Sequence, residues 1–222
     1  MMADYIVYSA RITSLTPIHI GASGTPLLHQ YDYAIHGGKT WRLNDAAILD
    51  AAILDTQNLD DLALAASLSE TPPAELLEDQ DFVPELPFFR YVIEGTPRSK
   101  AEGAQIVEQI KNVHDQPYLP GSSLKGALRT ALAWVAWGKR GIKPMRTALN
   151  PSPKFAGQGL ERELFGRSPN YDLLRALQVS DSAPVGADRL VVGNAQVLHR
   201  SGKLASPVEI EAIKPDTVFE LT

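Results

Sequence analysis

Strand-forming and helix-forming segments are mixed along this 222-residue chain with no regular βαβ alternation. That order favours an α+β architecture, with helices packed on one face of a largely antiparallel sheet. β-formers run from Tyr5 to Thr13 and predict a first strand. Tyr31–Ile35 and Thr40–Leu43 flank His36-Gly37-Gly38-Lys39, and the Gly-Gly pair predicts a hairpin. Asn44 is expected to cap a helix from Asp45 to about Asp55. A second short helix is expected near Asp60–Leu68, and a third, opened by Pro72-Pro73, runs through Glu78. Phe88–Ile93 reads as another strand, and residues 105–111 fit either strand or helix.

A helix over Ser123–Trp137 comes next. Residues 138–171 are rich in Gly, Pro, Arg and Lys and are expected to be largely irregular, with a short helix at Leu160–Leu164 ending at Gly166. Strands return at Leu177–Val179, Arg189–Leu198 and Val208–Ile213. One more begins at Asp216 and reaches Leu221, which suggests a truncated domain or a final edge strand.

Absence of cysteine excludes disulfides and thiolate metal sites. No apolar run is long enough to span a bilayer, and the start Met1-Met2-Ala3-Asp4-Tyr5 lacks the basic region and apolar core of a signal peptide. A cytoplasmic protein with no membrane partner is therefore expected. The net charge is −5, yet its distribution is uneven. Residues 44–110 hold 14 acidic and 3 basic residues, a net of −11, whereas residues 111–167 hold 10 basic and 3 acidic, a net of +7. A local basic face can bind a polyanion whatever the total charge.

The basic stretch contains Pro120-Gly121-Ser122-Ser123-Leu124-Lys125-Gly126-Ala127-Leu128-Arg129. It reads as a tight turn opening a helix, with Ser122 or Ser123 as N-cap. Leu124, Leu128, Ala131 and Val135 form an apolar stripe at helical spacing. Lys125 and Arg129, four apart, share one face. Exposed N–H groups, hydroxyls, two cations and the positive helix end all favour an anion, most simply a phosphate. A nucleotide-binding P-loop is excluded, because Lys125 precedes Gly126 and no hydroxyl follows to hold magnesium. Upstream, Leu15-Thr16-Pro17-Ile18-His19-Ile20-Gly21-Ala22-Ser23-Gly24 passes from an extended segment into a Gly/Ser loop, where successive N–H groups can also cradle a phosphate.

Taken together, Leu15–Gly21 and Pro120–Thr130, about a hundred residues apart, resemble the RAMP superfamily of CRISPR proteins. Leu164-Phe165-Gly166 and Val179-Ser180-Asp181-Ser182 fit the same pattern. Within the superfamily the chain is most similar to the Csm subunit that caps the crRNA 3′ end in type III-A effector complexes. The pointers are Tyr31-Asp32-Tyr33 after the first motif, the helical insert, and Glu209–Pro215. The resemblance implies a ferredoxin-like, RRM-related core: a single RAMP-type domain over residues 1–222, with an acidic helical insertion at about 45–80 and irregular basic loops. It also implies a further C-terminal part absent from this sequence.

RNA in such proteins is tracked by backbone contacts, which suits a guide of variable sequence. Lys125 and Arg129 would neutralise phosphates, and Gly121, Ser122 and Ser123 would supply the helix-start cradle. His19, Gly21, Ser23 and Gly24 would form a second cradle, and Lys139, Arg140, Lys143 and Arg146 would extend the basic track. The implied partners are crRNA, target RNA, neighbouring backbone subunits and the host nucleases that trim crRNA. No cofactor and no metal is implied.

The related backbone subunit that cuts target RNA uses a loop Asp downstream of the first motif, and Asp32 is the nearest match by position. Tyr31 and Tyr33 flank it where that subunit has small residues before the Asp, so a turn-capping role is favoured over catalysis. A metal-dependent endoribonuclease using Asp32 is the alternative function. His19, His29 and His36 do not match zinc spacing. Asp181, between two serines, reads as a turn or cap residue, and Trp134 and Trp137 as core. The leading expectation is a non-catalytic crRNA-binding and assembly subunit.

Overall fold

In the computed structural model, which describes residues 6–55, 70–141 and 145–222, Gly37 and Gly38 carry φ of 57° and 75°. Two successive positive φ values match the right-handed twist of the flanking strands. They close the hairpin of β3 (Tyr33–His36) on β4 (Lys39–Leu43), in which Ala34 faces Trp41 and Tyr33 faces Arg42. β4 pairs antiparallel with β5 (Phe89–Glu94), and a register shift between Arg42 and Leu43 sets Phe89 opposite Leu43. β5 meets β7 (Leu190–Ala195) in parallel, with Glu94 opposite Val191, and β7 pairs antiparallel with β8 (Val208–Ile213). The resulting five-stranded sheet, β3-β4-β5-β7-β8, is accompanied by two short pairs. These are β1 (Ala10–Thr13) with β9 (Val218–Leu221), and β2 (Leu27–Leu28) with β6 (Gln105–Ile106).

Helix α1 (Asp45–Asp55) lays Ile48 against Ala34, Trp41, Leu43 and Phe89. Phe82 completes this cluster edge-on to Trp41. A second cluster joins Tyr33 to Leu27 and Ile106. Removing a fully buried aromatic from either cluster would cost about 3–5 kcal/mol. The architecture is mixed α+β, with mostly antiparallel pairing.

The chain divides into two compact units. The larger comprises residues 11–118 and 184–220, and holds the five-stranded sheet. The smaller is built mainly from residues 119–183. It contains α2 (Gly121–Arg140) and α3 (Gln158–Phe165), joined by short 3₁₀ turns. Ala133, Phe165 and Leu174 form its core, with Trp137 and Leu164 packed against them.

Several expectations change. The first strand covers only Ala10–Thr13 of the expected run. Pro73 opens a single 3₁₀ turn, Pro73–Leu76, rather than a helix through Glu78, and a second such turn covers Asp79–Asp81. The expected helix at Asp60–Leu68 lies outside the described residues. Leu177–Val179 is not a strand. Its surroundings serve α2 instead, with the Leu177 carbonyl accepting from Lys125.

The apolar stripe of α2 is also turned outward. Leu128 and Val135 are 46% and 52% exposed. The inward face is the i, i+4 ridge of Lys125, Arg129, Ala133 and Trp137, all buried or half-buried. Ala133 is small enough to admit Phe165, and the Arg129 guanidinium lies 4.3 Å over that ring. Among the described residues no helix is long and apolar enough to cross a membrane.

Candidate nucleic-acid interface

Two separated motifs meet at the start of α2. The Gly121 N–H donates to Asp181 Oδ1 at 2.7 Å, so the helix is capped from a segment sixty residues away. Neither Ser122 nor Ser123 caps, contrary to the sequence expectation, because Pro120 occupies the N-cap position and makes no side-chain cap bond. Both serines are exposed, and their N–H groups, in the first turn, have no intrahelical acceptor. Ser182 locks the cap in place. Its N–H donates to the Leu119 carbonyl and its Oγ accepts from the Leu119 N–H. The approach is so close that a Cβ on Gly121 would sit 2.1 Å from the Val179 carbonyl oxygen. Only glycine fits there.

The two cations of the motif are held differently. Lys125 Nζ donates to the Leu177 carbonyl at 2.8 Å and pairs with no carboxylate among the described residues. Arg129 is engaged by two carboxylates, through Nε to Glu161 at 3.0 Å and through a terminal nitrogen to Asp172 at 2.7 Å. Burial opposes ionisation of Asp172, but the Arg129 bond and the Leu174 N–H outweigh it and hold the carboxyl below its ordinary value. Burial likewise opposes the Arg129 charge, and the two carboxylates push its pKa up regardless.

Beside this pair lies a cavity of about 420 Å³. Lys125 and Arg129 line it together with Arg162 and Arg175, two cations the sequence reading did not select. The signal for Arg162 was present, since it falls in the basic stretch. Arg175 lies beyond that stretch and becomes visible only when Asp172–Leu174 turns back toward α2.

The remaining basic residues are spread out. Lys139 and Arg140 are exposed in the last turn of α2, where the helix dipole favours cations. At 1.5 Å per residue they stand roughly 21 Å along the helix from Lys125. Arg146 is exposed on a 3₁₀ turn, and Lys143 lies outside the described residues.

The first-motif residues belong to the larger unit. The Ile18 N–H donates to the Ile213 carbonyl, that of Ile20 to Gln109 Oε1, and that of Ala22 to the Glu108 carbonyl. His19 Nδ1–H donates to the Glu211 carbonyl at 2.6 Å. Gly21, Ser23 and Gly24 are exposed.

Beneath this segment a buried charge network went unnoticed in the sequence. The Glu211 carboxylate accepts from Lys111 Nζ, from the Gln109 N–H and from the Tyr91 hydroxyl. The Lys111 and Glu211 side chains are only 3% and 2% exposed. Burial, then the neighbouring Glu211 charge, pushes the Tyr91 phenol well above its ordinary value.

Asp32 sits in the turn between β2 and β3. Its carboxylate accepts from the Leu28 N–H at 2.9 Å and lies 3.3 Å from Arg42. His29 bonds the Ala101 carbonyl, while His36 stacks on Phe82, so these two histidines serve separate packing sites. Among the described residues no group of three or more His, Asp or Glu is placed to hold a metal ion.

A profile of the RAMP superfamily matches residues 11–221. The chain belongs to the RAMP superfamily. Among curated RAMP-related proteins it is similar to the CRISPR system Cms protein Csm5 of Streptococcus thermophilus, at 25% identity over 252 residues. That match covers 99% of this chain and 64% of the relative, so the RAMP chain described here spans about two-thirds of the relative's length. The crystal structure of T. onnurineus Csm5 matches with a TM-score of 0.73 and 24% identity, covering 96% of this chain and 66% of that one. A chain of the Csm-crRNA-target RNA ternary complex of the type III-A system, solved by cryo-electron microscopy, matches with a TM-score of 0.61. It is 24% identical, over 95% of this chain and 62% of that one. These two likenesses establish a shared fold.

Proposed function

We propose that this RAMP protein is a non-catalytic crRNA-binding subunit of a type III-A CRISPR ribonucleoprotein. In this reading it contacts the crRNA 3′ region, caps the backbone filament, and supports crRNA maturation and antiviral interference. Its partners are crRNA, target RNA, neighbouring backbone subunits and the nucleases that trim crRNA, all in the cytoplasm. We read its core as ferredoxin-like, within a single RAMP-type domain carrying an acidic helical insertion at about 45–80.

The observation that carries the proposal is the start of α2. Asp181 fixes the helix end, Ser122 and Ser123 are exposed in the first turn, where N–H groups have no intrahelical acceptor, and Lys125 forms no ion pair among the described residues. Such a helix start binds backbone phosphate without reading bases. Lys139, Arg140, Lys143 and Arg146 would continue the track, and Ser23 and Gly24 with His19 and Gly21 would form a second contact. Arg129 supports the cradle by holding α2 to α3. We read Asp32 as a structural residue, because the Leu28 N–H and Arg42 already occupy its carboxylate.

The test is crRNA affinity measured across a salt series for the wild type and Lys125→Ala. Affinity should fall, and the slope of log K against log salt should shrink by about one. Unchanged affinity and slope would remove the cradle assignment. For the catalytic alternative, Asp32→Asn keeps an acceptor for the Leu28 N–H. Assembled complexes carrying it should cut target RNA at every position the wild type does, and loss of one evenly spaced cut would make Asp32 catalytic.

A further inference from the structure

The cavity beside α2 contains more charge than an RNA backbone contact needs. Lys125, Arg129, Arg162 and Arg175 line it, against the carboxylates of Glu161 and Asp172. Both carboxylates bond Arg129, and Lys125, Arg162 and Arg175 form no ion pair among the described residues, although Lys125 acts on Asp172 through its charge and Arg175 donates to the Asn170 carbonyl. The lining therefore carries a net charge of about +2. At about 420 Å³ the cavity falls in the range of small-molecule sites, about 300–1,000 Å³. Leu174 and Pro169 add an apolar wall.

An internal phosphodiester brings one negative charge and two chain continuations. A phosphomonoester brings about −1.5 to −2 at neutral pH and three strong acceptor oxygens. Its charge matches the net charge of the lining, and a single chain continuation lets it enter a concave site. The Arg162 and Arg175 guanidinium groups also present forked donors suited to phosphate oxygens.

We infer that this cavity binds a phosphomonoester, the terminal phosphate of an RNA strand, with Lys125, Arg162 and Arg175 as its ligands. Arg129 is a positioning residue, tied to Glu161 and Asp172 so that it braces the wall. The inference rests on the RNA-binding reading above and adds that the site senses a strand end.

The test compares one single-stranded RNA sequence bearing a 5′-phosphate, a 3′-phosphate, or hydroxyls at both ends, with AMP and inorganic phosphate as free probes. One phosphorylated end should bind about tenfold more tightly than the hydroxyl-ended strand, the gain from one added charge-assisted contact. The double variant Arg162→Gln/Arg175→Gln should lose that preference and keep the affinity for hydroxyl-ended RNA. Should the double variant unfold on heating below the assay temperature, each single variant is read instead and should lose part of the preference. Equal affinities for all three strands, or a preference kept in the variants, would overturn the inference while leaving RNA binding intact. Saturable AMP binding that the variants abolish, with no oligonucleotide bound, would keep the phosphomonoester pocket, assign it a free nucleotide, and overturn the RNA reading.

Discussion

Leu15–Gly24 and Pro120–Arg129 both look, as strings of residues, like places where backbone N–H groups gather around glycine. The fold uses them in opposite ways. In the first, Ile18, Ile20 and Ala22 spend alternate N–H groups on Ile213, Gln109 and Glu108, so the segment is a strand-like edge pinned to the larger unit. In the second, the Gly121 N–H is tied to the Asp181 side chain, and the N–H groups of the exposed Ser122 and Ser123 that follow have no intrahelical acceptor. Glycine serves the first segment by leaving space and the second by permitting contact. A Cβ on Gly24 would meet nothing within 4 Å, whereas on Gly121 it would strike the Val179 carbonyl. Phosphate affinity should therefore depend on backbone geometry at Gly121 and on side chains or loop-tip atoms at the first motif.

The largest expected difference comes from putting alanine at these two glycines. Gly121→Ala should lower stability by about 3 kcal/mol, because backbone and not a flexible side chain stands in the way. Gly24→Ala should stay within about 0.5 kcal/mol. Chemical denaturation of both variants checks this, and equal losses would dissolve the contrast. Next comes Arg129→Ala, which strips the shared cation from Glu161 and Asp172 and uncovers Phe165. A loss of about 2 kcal/mol is expected in the same measurement. Arg129→Lys should recover only part of it, because one ammonium cannot reproduce the forked contact.

Asp181→Ala removes the cap from the Gly121 N–H and should cost about 1 kcal/mol, with Asp181→Asn close to wild type. The smallest effect is in acid. The Asp172 carboxyl titrates below its unfolded value of 3.8. Its contribution is therefore complete at neutral pH and is lost as pH falls through the lower folded value. Arg129→Gln should flatten this part of the stability profile by under about 1 kcal/mol, since the pair is partly exposed. An unchanged acid limb would mean that the pair contributes nothing to folding.

Local signals were legible in the residues. Gly37-Gly38 announced the hairpin, and α1 runs over Asp45–Asp55 as its pattern suggested. Asp181 read as a cap residue and is one. Periodicity failed at α2 for a physical reason. The stripe of Leu124, Leu128, Ala131 and Val135 is the most apolar face, yet Arg129 finds two carboxylates and an aromatic ring on the other side. Charge pairing set the helix rotation there, and no periodic count of apolar residues registers it. Arg175 was hidden for a similar reason, since it joins Lys125 at the cavity only through the turn after Gly166, whereas Arg162 lay within the basic stretch. Leu177–Val179 has the composition of a strand and lacks a partner edge, because its neighbours bond α2.

The buried Lys111–Glu211 pair acts on β8 as a key acts on a lock. Along β7, Glu211 is opposite Val192 and its neighbour Ala212 opposite Val191. Sliding β8 by one residue would turn the carboxylate to the other face of the sheet and take from the buried Lys111 one of its two carboxylates, leaving it only Glu108. Hydrocarbon at both positions would tolerate the slip, and the charges forbid it. The same strand presents its Glu211 carbonyl to His19, so the proofreading of one register also decides where the first glycine-containing motif is pinned.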